Sequence, residues 1–197
     1  MKIISHLLFG LATVVGIACY AQDSTPPQIE GVGSFDGSLI GICFNEALDP
    51  AVANDASHYS LSSGTISSAT LQSDGKTVAL SASGVGASFT VNVTGITDLS
   101  GNAVTASASG RTVPNFVPQD LGNVDAPGIA LSCGTNSFDV WARGLDIWGF
   151  ADSGHYLSEN RTGDFDVNSF GVPPCTHMLL ASPYGLQQCK GQTSRVM

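Results

Sequence analysis

From Thr25 to Val104 the chain is a series of short apolar alternations, each closed after a few residues by Gly, Ser, Asn or Asp. A side-chain period of two lines one face of a strand, and closely spaced breakers keep a helix from propagating. Ile40, Ile42 and Phe44 alternate in this way, which predicts a half-buried strand over Leu39–Phe44. Phe89, Val91 and Val93 do so more clearly over Ser88–Val93. Asp36-Gly37 and Ser73-Asp74-Gly75-Lys76 carry turn chemistry, because Gly accepts positive φ and an Asp side chain can accept from backbone amides ahead of it. The second of these turns sits between Ile66–Leu71 and Thr77–Leu80 and predicts a hairpin. Asp49-Pro50 pairs an N-cap with Pro at a first helical position, which predicts one or two helical turns after it. Asp98 to Asn102 reads as a tight connection, and Ala103-Val104 as the start of a last strand. About seven strands in some 80 residues fit a small antiparallel sandwich.

Six motifs follow one another in this stretch. They are Thr25-Pro26-Pro27, Phe44-Asn45-Glu46-Ala47-Leu48-Asp49, His58-Tyr59-Ser60-Leu61, Asp74-Gly75-Lys76-Thr77-Val78, Phe89-Thr90-Val91-Asn92-Val93 and Asp98-Leu99-Ser100-Gly101-Asn102. In that order and spacing the stretch resembles the bacterial Ig-like repeats first described in S-layer proteins, the SbsA type, over residues 25–106. The resemblance implies a β-sandwich used as a spacer or adhesive module in secreted, often multidomain, proteins and enzymes.

The rest of the chain divides differently. Residues 107–128 lack periodicity and contain Pro114, Pro118 and Pro127, the composition of a linker. Beyond Ile129, Asp146-Ile147-Trp148-Gly149 and Gly163-Asp164-Phe165-Asp166-Val167 resemble the start of the concanavalin-like β-sandwich modules of secreted bacterial proteins. The matching part, 129–168, is too short for a whole module of that kind. Residues 169–197 add three prolines and two cysteines and lose the acidic residues, as a non-native tail from a frameshift or truncated gene model would. The predicted fold class is all-β: an Ig-like β-sandwich over 22–106, then an incomplete second β-sandwich and an irregular tail.

Compartment is read from the N-terminus. Met1-Lys2, the apolar run Leu7–Ile17 and the small residues before Gln22 follow the plan of a secretory signal peptide, residues 1–21. The run is short for a bilayer span of about 20 residues. A buried N-terminal helix and lipid attachment at Cys19 are the alternatives, the latter lacking the usual Leu three residues upstream. Without Cys19, Cys43, Cys133, Cys175 and Cys189 permit two disulfides in three pairings. At most one is expected, with Cys43 serving as a small apolar residue in its strand. Seven Lys and Arg against 16 Asp and Glu give a net charge of −9, which repels phosphate backbones and excludes a nucleic-acid partner.

Two groups of residues are candidates for chemistry. Glu46, Asp49, Asp98 and Asn102 carry oxygen ligands of the kind calcium takes, six to eight at a time. The simpler reading of Asp98 and Asn102 is a turn held by local hydrogen bonds. Trp141, Trp148 and Tyr156 would form a platform for stacking on sugar rings, or else belong to a core. Asp146, Asp152, Glu159, Asp164 and Asp166 show no spacing that sets two carboxylates across one bond. No cofactor is expected beyond possible calcium, and no membrane span in the mature chain. The expected function is a non-catalytic structural or adhesion module outside the cell. Its partners would be cell-wall or extracellular polysaccharide, or other domains of a larger surface assembly. A carbohydrate-binding module and a truncated remnant of a larger secreted hydrolase are the alternatives.

Overall fold

In the computed structural model, residues 23–124, 126–142 and 153–159 are described. Residues 1–21, read from the sequence as a signal peptide, and Trp148, Cys175, Cys189 and the segment 169–197 lie outside them.

Strands β1 (Ile29–Ser34), β2 (Leu39–Phe44), β4 (Thr65–Leu71) and β5 (Thr77–Ser83) make an antiparallel sheet in the order β1-β2-β5-β4. Strands β3 (Tyr59–Leu61), β6 (Ser88–Thr97) and β7 (Ala103–Arg111) make a second sheet in the order β3-β6-β7. Both sheets turn their apolar faces into one core. Ile40, Ile42, Phe44, Val78 and Leu80 come from the first, and Phe89, Val91, Val93 and Ile96 from the second. Alternation holds along β6 until Gly95, whose φ of 68° accompanies a register shift that brings Ile96 inward.

The connections follow their sequence chemistry. Asp49 caps the single turn α1 (Pro50–Ala53) by accepting from the Ala51 amide at 2.9 Å, with Pro at a first-turn position. Helical residues thus begin where their first amides have a side-chain acceptor. The β4–β5 hairpin closes over Gly75 at φ 70°, with Asp74 accepting from the amides of Lys76 and Thr77, each at 3.0 Å.

The structure corrects the boundary expected at residue 106. β7 continues to Arg111, paired with β6 as far as Ser88. The stretch expected to be a linker, 107–128, also contains β8 (Phe116–Leu121). β8 pairs with β11 (Gly154–Glu159), and β9 (Ile129–Ser132) pairs with β10 (Phe138–Trp141). Asp120 fastens the β8–β11 ladder, accepting from the Gly128 amide at 2.9 Å and meeting His155 Nδ1 at 2.8 Å.

These later strands pack on the first sandwich. Val32 faces the core, so its neighbours Gly31 and Gly33 face outward, as Gly41 does between Ile40 and Ile42. A Cβ on Gly31 or Gly33 would overlap Cys133 or Ser132, and one on Gly41 would lie 2.6 Å from the Ser132 carbonyl oxygen. β9 therefore lies against bare backbone. β2 is in consequence buried on both faces from Ile40 onward, a correction to the half-buried strand expected. A second cluster of Phe35, Ala130 and Phe138 takes Phe35 from the end of β1. Phe138 lies 5.7 Å from Phe35 and 4.5 Å from Phe116 between ring centroids.

Candidate functional site

The first candidate group lies where the segment after β2 meets the β6–β7 turn, joined by a bridge between Leu48 and Asp98. Asp98 Oδ1 accepts from the amides of Ser100 and Asn102, each at 2.8 Å, and Oδ2 accepts from Asn102 Nδ2 at 2.8 Å. Burial pushes the Asp98 carboxyl up, but these hydrogen bonds outweigh it and hold it below the ordinary Asp range. Asp23, Glu46 and Asp98 bring carboxylate oxygens within 4.8 Å of one another. Desolvation, then the charges of Asp23 and Asp98, push the Glu46 carboxyl up.

Of the four expected calcium ligands, Glu46 and Asp98 thus come together. Asn102 turns its amide donor toward this group, giving hydrogen bonds to Asp98 and to the Asp23 carbonyl at 3.1 Å. Asp49 accepts from the Ala51 amide as the cap of α1. Asp23 was missed because it precedes the first periodic strand, where no pattern places a side chain.

Of the expected aromatic platform, Trp141 ends β10 and Tyr156 lies in β11, both half-buried. Tyr156 donates to Gln119 Oε1 at 2.9 Å. The indole nitrogen of Trp141 is buried, with no hydrogen-bond partner among the described residues. Trp148 lies outside those residues.

A third group was not expected. Cys43 of β2 is disulfide-bonded to Cys133, just past β9, with their Cα atoms 5.6 Å apart. Cys43 is therefore a cross-link rather than only a small apolar residue. The outward side of β2 carries it, and β9, seated on the glycines, brings Cys133 to it. The Asp139 carboxylate is buried against this bond, with Oδ2 3.2 Å from Cys133 Sγ and 3.6 Å from Cys43 Sγ. The Thr77 hydroxyl lies 2.8 Å from Asp139 Oδ2 and 2.8 Å from Asp74 Oδ2. Sequence spacing alone held no sign of this group, because its members meet across the ends of four separate strands.

Residues 23–116 match the family model of the bacterial Ig-like domain, just under half of the chain. This agrees with the all-β Ig-like fold described above. No curated protein matches. Among solved structures, the N-terminal part of the bacterial S-layer protein SbsC matches at 14% identity and a TM-score of 0.43, covering 69% of this chain and 44% of that one. Domains 1–6 of surface layer protein SbsC match at 13% identity and a TM-score of 0.43, covering 86% of this chain and 31% of that one. The chain spans less than half the length of either structure.

Proposed function

We propose that this chain is a non-catalytic structural module, an Ig-like spacer or binding domain of a cell-surface or extracellular protein. The observation that carries the reading is where the carboxylates go. Asp23, Asp36, Asp49, Asp55, Asp74 and Asp98 each accept from the backbone amide two residues ahead. Such bonds fix turns and helix starts, and leave these acids engaged in holding loops rather than in acid–base work. The match of residues 23–116 to the bacterial Ig-like domain supports the same reading. The partners in this reading are neighbouring domains of a larger surface assembly, or cell-wall polysaccharide meeting the half-buried rings of Trp141 and Tyr156.

The test is protease shaving of intact cells of the native host, followed by immunodetection of the chain. Loss of the full-length band while a cytosolic marker survives is the expected result. A chain found only in the cytosolic fraction would overturn the surface assignment.

A further inference from the structure

We propose that the Cys43–Cys133 disulfide is a redox-sensitive latch between the Ig-like sandwich and the strands that follow it. While it is closed, β9 and β10 stay docked. A dithiol that reduces it lets them lift away from a sandwich that remains folded. The inference concerns the fold alone and stands without the surface reading.

The cross-link joins two parts whose other attachments are modest. Cys43 belongs to β2 and Cys133 follows β9. Among the described residues β9 and β10 pair only with each other, so no backbone ladder carries them onto the sandwich. β9 rests on Gly31, Gly33 and Gly41, which have no side chains to interlock with it. Leu131 is buried on this seat, and Phe138 stacks on Phe35. The cluster around Phe35 has three buried members, against fourteen in the sandwich core. Buried apolar surface is what resists local opening, so the docking yields before the sandwich once the cross-link is cut.

The same docking controls access to the bond. Cys43 and Cys133 are 1% and 5% exposed, so both sulfurs are covered while β9 is seated. Exchange requires a thiolate to attack one sulfur directly. The Cys133–Thr135 segment forms one wall of a groove of about 490 Å³ whose other walls include Gly31, Ser109 and Arg111. An outward movement of that segment widens the groove and brings solvent to Cys133 first. The reductant's thiolate then bonds to Cys133 Sγ, the sulfur–sulfur bond breaks, and Cys43 leaves as a thiolate that takes up a proton. The reductant's second thiol displaces Cys133, which is protonated in turn, and the reductant departs as its own disulfide. Two electrons and two protons pass to the protein, and a disulfide-bearing oxidant reverses the sequence.

The experiment uses the full chain carrying Cys19→Ser, Cys175→Ser and Cys189→Ser, which leaves one cysteine pair. Amide hydrogen exchange is compared before and after reduction with dithiothreitol. Protection in β9 and β10 should fall by about tenfold or more on reduction, while that of β5 and β6 is unchanged. Cys43→Ser/Cys133→Ser, which needs no reductant, should show the same local loss. Gly41→Ala, whose Cβ would lie 2.6 Å from the Ser132 carbonyl oxygen, tests the gating. It should speed reduction of the disulfide by about fivefold or more, because it unseats β9 without entering the sandwich core. Unchanged protection of β9 and β10 after reduction would overturn the proposal. An equal loss from β6, or a double variant that does not fold, would make the bond a staple of the whole fold and overturn it as well. Reduction of Gly41→Ala at the parent's rate would overturn the gating by the glycine seat.

Discussion

Gly31 and Cys133 meet backbone to backbone: a Cβ at residue 31 would overlap the carbonyl oxygen of Cys133. The register of β9 on the sandwich therefore depends on a missing side chain. Gly31→Ala should push the Cys133 segment outward and cost about 1–3 kcal/mol, as overpacking does. Hydrogen exchange would locate the damage. Amides of β9 and β10 should lose more protection than those of β6, which sits in the main core. Equal losses in both places would mean that β9 is not seated as described.

The disulfide between Cys43 and Cys133 closes a separation of 90 residues. In the chain-entropy account a loop of that size stabilises by about 4.6 kcal/mol, mainly by restricting the unfolded chain. The double variant Cys43→Ala/Cys133→Ala should lower the urea midpoint accordingly when compared with the oxidised parent. A difference below about 1 kcal/mol would show that the unfolded chain already holds these segments together.

Phe89 of β6 packs over Gly110 of β7, where a Cβ would stand 2.6 Å from a ring carbon. Phe89→Ala should cost about 3–5 kcal/mol as a core truncation. Gly110→Ala alone should also destabilise, because the ring has no room to yield. In the double variant the added methyl enters the space the ring vacates, so the two costs should fall short of additive by about 1 kcal/mol or more. Strict additivity in a double-mutant cycle of melting curves would disprove the contact.

That same pair explains much of what was and was not legible in the sequence. Strands with large alternating residues, such as Ile40, Ile42 and Phe44 or Phe89, Val91 and Val93, show their inward faces directly. The turn at Asp74-Gly75 and the cap at Asp49-Pro50 are legible because each rests on local backbone chemistry. β7 turns Val104, Ala106, Ala108 and Gly110 toward its neighbours, residues that shrink as the Phe89 ring is approached. Small residues chosen to fit a partner from another strand look like a linker when read alone. The glycines at 31, 33 and 41 conceal the docking of β9 for the same reason. They record a close approach by a segment about a hundred residues away in the chain. The Cys43–Cys133–Asp139–Thr77 group depends on that docking, so nothing local could reveal it.

Carboxylates give the module a pH dependence with opposing parts. Asp98 is held below its ordinary value of 3.8, its hydrogen bonds from Asn102 and nearby amides outweighing burial. A depressed folded-state value means stability that is present above pH 3.8 and lost as pH falls through the folded-state value. Asp36, Asp55 and Asp120 are shifted in the same direction and reinforce that acid limb. Glu46 is raised above its ordinary value of 4.5, first by desolvation and then by Asp23 and Asp98. Its contribution has the reverse sign, present below pH 4.5 and lost as pH rises through the folded-state value. Melting temperatures measured against pH should therefore separate the two residues. Asp98→Asn should lower stability at neutral pH and flatten the acid limb. Glu46→Gln should raise the melting temperature at neutral pH, where the parent carries a third negative charge in the Asp23–Asp98 pair, and leave it little changed in acid. A Glu46→Gln variant less stable than the parent at neutral pH would mean that Glu46 is not repelled by those charges, and the convergence of the three carboxylates would have to be abandoned.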